Sequence, residues 1–183
     1  KSFLGVQGAI FQKSPLVAEG IKSSVLAVSP IQEGKHSQVK KSCVGCHMAK
    51  SPQGLAQVVG GHTFRVMTKG QADPVINTNG CLGCHKSMNL ELVRKFQDNI
   101  KQLMKELSVL LPQREVKSSQ PWEEPKLPQD PSLSRLQSAA AYNYYLVLKD
   151  GTFGVHNPVY IKRLLEVSIA ALKEEKKGSA AQA

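Results

Sequence analysis

The stretch Ser42 to Lys50, SCVGCHMAK, decides how this chain is read. A second stretch of the same kind, GCLGCHKSM, runs from Gly80 to Met88. Between them they hold all four cysteines of the chain: Cys43 and Cys46, then Cys81 and Cys84. Each pair is split by two residues, and each is followed at once by a histidine, His47 and His85.

Four chemistries use Cys-x-x-Cys. A disulfide across two residues is strained and reducible, and two of them would staple very little. A thioredoxin-like redox pair comes once, after a strand and opening a helix. A zinc ribbon uses two such pairs to make a closed tetrahedral site, although the gap from Cys46 to Cys81 is long for one. Zinc sites do not require a histidine directly behind each second cysteine. With five histidines in 183 residues, chance rarely puts one in both places. Cys-x-x-Cys-His is the signature of covalent haem attachment. Two thiols on one helical turn add to the two vinyl groups of the porphyrin, and the next imidazole binds the iron from one face. The sequence therefore predicts two covalently bound haems c, one on Cys43, Cys46 and His47, the other on Cys81, Cys84 and His85.

A six-coordinate haem needs a second axial ligand. The candidates are His36, His62 and His156, and the methionines 48, 67, 88 and 104. Histidine on both faces makes a low-potential carrier, whereas methionine raises the potential. His156 is the best placed, because Asn157 is a good N-cap and Pro158 suits the first helical position. His36 lies just ahead of the first motif. His62 follows Gly60 and Gly61, which allow backbone to approach a ring closely. Three histidines for two irons leave one over.

Outward from the motifs, the chain divides into five parts. Residues 1–42 form a loop-rich arm with the short apolar pieces LGVQGAIF and SSVLAVSPI. Residues 43–111 carry both motifs and a long helix from Asn89 to Leu111, striped by Leu92, Phe96, Ile100, Leu103, Leu107 and Leu110 and ended by Pro112. Residues 112–131 are a Pro-rich connection that Trp122 pins to the body. Residues 132–177 form a helical hairpin, capped by Ser132 or Ser134, stopped by Gly151 and restarted after His156. Its second helix has an apolar face of Val159, Ile161, Leu164, Leu165, Ile169 and Leu172. Residues 178–183 are a tail. The fold class is mainly α: a multihaem cytochrome c with a few long helices packed around covalently bound haems.

Composition supports this. Only 5% of residues are aromatic, which makes a side-chain core thin for the length, and a flat cofactor would fill it. The formal charge of +10 suits an acidic partner. The lysine runs lack the interleaved aromatics of a nucleic-acid surface, so nucleic acid is not expected. No run of about 18 apolar residues predicts a membrane span. Lys1 begins the sequence without a signal peptide, as in a processed, extracytoplasmic protein (periplasmic or extracellular), which is where c-type haem is attached.

The order CVGCHMAK, GGHTFRV, CLGCHK and then YNYYLVLKDGTFGVHNPVYIKRLL resembles the C-terminal part of the pentahaem cytochrome c nitrite reductases and their multihaem relatives. The resemblance covers roughly His36 to Ala171. It implies crossed ligation, with His36 serving the haem of His85 and His156 that of His47. By position it pairs His62 with a haem bound further upstream, for which no cysteine stands ahead of Cys43 in this sequence; that haem would be supplied by another chain or by a longer polypeptide of which this is the end, or His62 is structural. The family's catalytic haem has lysine after its second cysteine, and no such motif occurs here. The expectation is a non-enzymatic electron-transfer protein without catalytic residues, working with a haem-bearing redox partner in a hetero- or homo-oligomer. Two other roles remain open: a non-catalytic part of a nitrite-reductase-like oxidoreductase, or a polymerising haem wire.

Overall fold

The computed structural model describes residues 35–68 and 72–180. The expected arm up to residue 34, with its two apolar pieces, and the last three residues of the tail lie outside them. The architecture is mainly α. Four helices account for most of the regular secondary structure, and among the described residues β pairing is limited to two isolated antiparallel bridges. None of these helices is long and apolar enough to cross a membrane.

The described chain forms two compact units, Lys35–Phe96 and residues 97–180. These limits differ from the boundaries expected after residues 42 and 111. The turn carrying His36 belongs with the cysteine motifs. The long helix is divided because its later turns pack against the C-terminal helices.

In the first unit, a 3₁₀ turn, Lys35–Gln38, leads into α1, Ser42–His47. Further 3₁₀ turns follow at Gly61–Thr63 and Thr78–Gly80. Met67 and Ile76 pair across an antiparallel bridge. Val59 is the only buried hydrophobic residue here among those described. Buried polar groups hold the unit instead. Asn77, fully buried, donates from Nδ2 to the Ala49 carbonyl at 3.0 Å and accepts from the Asn79 amide. Asn79 donates to the Lys50 carbonyl at 2.7 Å. A unit of this size normally needs a larger apolar interior or an added staple.

The second unit has that interior. α2, Leu90–Leu110, begins where Asn89 Oδ1 accepts from the Leu92 amide. It buries Ile100, Met104 and Leu107, while Leu92 is 45% exposed and so leaves the expected stripe. Met104 is thereby core, not a candidate ligand. α3, Arg135–Asp150, opens on a capping box between Ser134 and Gln137 and closes on Gly151 in the left-handed region, φ 69°. Both features were legible in the sequence. α4, Pro158–Ala180, starts at the expected proline and runs through Gly178–Ala180, so those tail residues are helical.

α3 and α4 are antiparallel. Ser134 reaches Glu175, Asn143 donates to Ser168 at 3.0 Å, and Asp150 meets His156 beside the turn. α4 is buried almost all round: Tyr160, Val167 and Ala171 join the expected face, and Val159, 56% exposed, leaves it. α4 packs on α3, and Lys173 reaches Glu106 of α2 at 2.7 Å. The Pro-rich connection is built around Glu124. Its buried carboxylate accepts from Ser118, from the hydroxyl and amide of Ser119, and from Arg114. Trp122 pins this loop as expected, its indole donating to the Tyr144 hydroxyl at 3.0 Å.

Candidate haem-binding site

The first motif is helical. α1 spans Ser42–His47, so Cys43 and Cys46 lie three residues apart on one helical face. The second motif repeats the local pattern as a turn, with the Cys84 and His85 amides both bonded to the Cys81 carbonyl at 3.0 and 2.9 Å. All four thiols are free. No disulfide joins either pair.

The two motifs are clamped together. A Cβ added at Gly80 would stand 2.9 Å from the Cys46 Cα and 3.0 Å from its carbonyl oxygen. Only glycine allows that approach. Gly60 does the same on the other side. A Cβ there would lie 2.4 Å from Asn77 Nδ2 and 2.5 Å from the Ala49 carbonyl, and its φ of +74° itself favours glycine. This closeness shows in the thiols. Burial pushes Cys46 above its ordinary pKa, helped by Cys84 and Cys43; burial and Cys46 do the same to Cys81.

The histidines expected to bind iron divide as follows. His36 and His85 come together in Lys35–Phe96, with ring centroids 6.0 Å apart and planes at 83°. Metal–imidazole bonds of about 2.0–2.1 Å place the centroids of two trans ligands roughly 6 Å apart. A separation of 6.0 Å is compatible with two imidazoles on one iron and equally with an ordinary ring–ring contact. His47 is oriented by the glycine loop: its Nδ1 donates to the Phe64 carbonyl at 2.8 Å, and its ring stacks on Phe64 at 4.6 Å. A carbonyl can only accept, so Nδ1 carries the proton and Nε2 is the donor nitrogen for a metal. This is the outer contact that metal-binding histidines use. Phe64, held at φ 55°, was not foreseen as a site residue, since a main-chain carbonyl has no sequence signature.

His156 lies in the other unit. Its Nδ1 meets Asp150 Oδ1 at 2.6 Å. That bond raises the imidazole pKa against the opposing effect of burial. Burial pushes Asp150 up, but the hydrogen bonds from His156 and Thr152 outweigh it and hold the carboxyl low. His62 sits exposed on its 3₁₀ turn. Lys35, Lys40, Lys41 and Lys50, around the first motif, are all exposed as well.

Among the described residues, no three of His, Cys, Asp or Glu converge as a metal-holding group. A four-thiolate zinc site is therefore not assembled. A haem iron asks only two ligands of the protein, and His36 and His85 are a pair of imidazoles near enough to be candidates for one. The donor set, the two Cys-x-x-Cys turns and the sparse apolar interior around them fit haem. No protein-family model matches the chain, and no curated protein or solved structure is similar to it.

Proposed function

We propose that this chain is a dihaem c-type cytochrome that passes electrons as a subunit of a larger multihaem assembly outside the cytoplasm. The 6.0 Å spacing of His36 and His85 carries the reading. A bound haem supplies a one-electron carrier whose iron changes charge without leaving its ligands.

The residues have distinct tasks. Cys43 with Cys46, and Cys81 with Cys84, tether the two macrocycles. His85 and His36 would hold the iron of one haem and leave it no place for an exogenous ligand. His47 would hold the other iron, the Phe64 carbonyl keeping its ring in one tautomer; His156 is a candidate ligand whose tautomer the Asp150 carboxylate fixes. The Gly80–Cys46 contact fixes the distance between the motifs. The exposed lysines around the first motif receive an acidic redox partner. His62, exposed beside the exposed Phe64, is offered to a haem of that partner.

A pyridine haemochrome assay with intact mass tests the proposal. Two covalent haems per chain are expected. A colourless, zinc-containing protein would end it.

A further inference from the structure

Two partly covered thiols, one from each motif, flank the Gly80 contact. Cys46 and Cys81 are half-buried, whereas Cys43 and Cys84 are exposed. A Cβ added at Gly80 would stand 2.9 Å from the Cys46 Cα, and Cys81 is the next residue along the chain. The Cys46 and Cys81 backbones are therefore one peptide unit from contact. Hydrogen bonds hold the two segments in this register. Asn77 Nδ2 and the Gly61 amide both donate to the Ala49 carbonyl, at 3.0 and 3.1 Å, and Asn79 donates to the Lys50 carbonyl at 2.7 Å. Cys81 is fixed in turn by its amide, which donates to the Thr78 carbonyl at 2.7 Å. Burial, and after it the Cys46 thiol, raises the Cys81 pKa, a second sign of the same closeness.

Within the first motif the geometry for bonding is worse. Cys43 and Cys46 sit three residues apart in α1. Residues so spaced on a helix hold their Cβ atoms about 5–6 Å apart. A disulfide asks for about 3.5–4.5 Å. A bond inside the motif has to open the helix. A bond from Cys46 to Cys81 joins residues 35 apart and constrains the unfolded chain far more. It also supplies what Lys35–Phe96 lacks. Among the described residues that unit buries one hydrophobic side chain, Val59, and a covalent staple is the usual remedy for so small an apolar interior.

We propose that Cys46 and Cys81 form a disulfide across the two motifs in the chain that carries no cofactor, leaving Cys43 and Cys84 as the free thiols. The oxidant is a low-molecular-weight disulfide. One of the two protein thiolates attacks a sulfur of that disulfide and releases a thiol. The other thiolate attacks the mixed disulfide and releases the second thiol. Two electrons pass to the oxidant, and the two protons of the protein thiols end on the released thiols. The bridge takes one thiol from each motif, so neither motif of the proposed cytochrome offers two thiols until the bridge is reduced. The bond itself needs no haem. Haem content tests the cytochrome reading separately, and either can fail alone.

The test equilibrates the full-length, haem-free chain with reduced and oxidised glutathione, alkylates the remaining thiols and cleaves after lysine and arginine. Lys41, Lys50, Lys69 and Lys86 then bound the two motif peptides, 42–50 and 70–86. Mass spectrometry should find these peptides joined, with Cys43 and Cys84 alkylated. Separate peptides with internal disulfides, a bridge that leaves Cys46 or Cys81 alkylated, or fully alkylated peptides from an oxidising buffer overturn the inference. Gly80→Ala keeps every cysteine and pushes the motifs apart. It should lower the bridged fraction severalfold at the same glutathione ratio, and an unchanged fraction overturns the inference. In urea the parent chain should shift to bonds within each motif, because short loops close at the least entropic cost. A distribution that urea leaves unaltered overturns it too, since chain statistics and not the fold then choose the partners.

Discussion

The imidazoles of His36 and His85 meet across 49 residues of sequence, with planes at 83° and centroids 6.0 Å apart. The 3₁₀ turn Lys35–Gln38 supplies one ring and the end of the second cysteine motif supplies the other. Removing one member should open one coordination position. His36→Ala is expected to give ferrous protein that binds carbon monoxide at one haem, where the parent binds none, and added imidazole should restore the low-spin spectrum. A variant as closed as the parent would remove His36 from the ligand set.

Gly80 and Gly60 set how closely the motifs approach. Gly80→Ala forces a Cβ against the Cys46 backbone, which cannot yield as a flexible side chain would. A loss of about 1–3 kcal/mol is expected, as for other overpacked sites. Gly60→Ala should cost at least as much, because its positive φ adds strain. Gly83→Ala meets nothing within 4 Å and should lie within about 0.5 kcal/mol of the parent. Thermal unfolding of the holoprotein orders the three.

Glu124 gives the second unit an acid-labile lock. Burial favours its neutral form, but the Ser119 hydroxyl and amide, the Ser118 hydroxyl and Arg114 outweigh burial and hold the folded carboxyl below its ordinary range. A carboxyl depressed on folding contributes stability above its unfolded pKa of about 4.3 and loses it as pH falls through the lower, folded value. Stability should therefore decline below about pH 4.3, and Glu124→Gln should flatten part of that decline. At neutral pH the same variant should lose about 1–3 kcal/mol, the cost of weakening hydrogen bonds to a buried ion. Denaturant titrations across the acid range measure both effects.

Trp122 and Tyr144 form one side-chain bond that holds the Pro-rich connection on α3. Burial, the largest influence, raises the tyrosine pKa to about 12, so the hydroxyl stays protonated through the physiological range. Trp122→Phe and Tyr144→Phe should each cost about 0.5–1.5 kcal/mol. The double variant should cost less than their sum. Full additivity would show that the bond contributes nothing.

Among the described residues, buried hydrophobic side chains are divided unequally: Val59 in Lys35–Phe96, the others in 97–180. Replacing the four cysteines with alanine to block attachment should therefore strip amide-exchange protection from the first unit and leave α3 and α4 protected. Equal loss in both would show that the second unit depends on cofactor.

Much of this molecule could be read in its sequence because local chemistry decided it. Ser134, Gly151 and Pro158 mark helix limits by what their side chains or ring permit, and those limits fell where expected. Spacing alone marks the adjacent histidines His47 and His85 as candidates. What sequence could not show is set by distant partners. Leu92 and Val159 follow helical periodicity yet face outward, because burial depends on which neighbour arrives. The Phe64 carbonyl and the Asp150 carboxylate reach their histidines only through backbone turns at positive φ, and no residue pattern marks such contacts.

The uneven sharing of apolar side chains implies an order of biogenesis. The C-terminal helices can reach their final shape by hydrophobic collapse alone. If haem is attached as proposed, the cysteine-bearing segment would wait for thioether chemistry, for which Cys43 and Cys84 stand exposed on its surface. Maturation would then proceed on a finished scaffold, with the last step of folding coinciding with the first moment at which the chain can conduct.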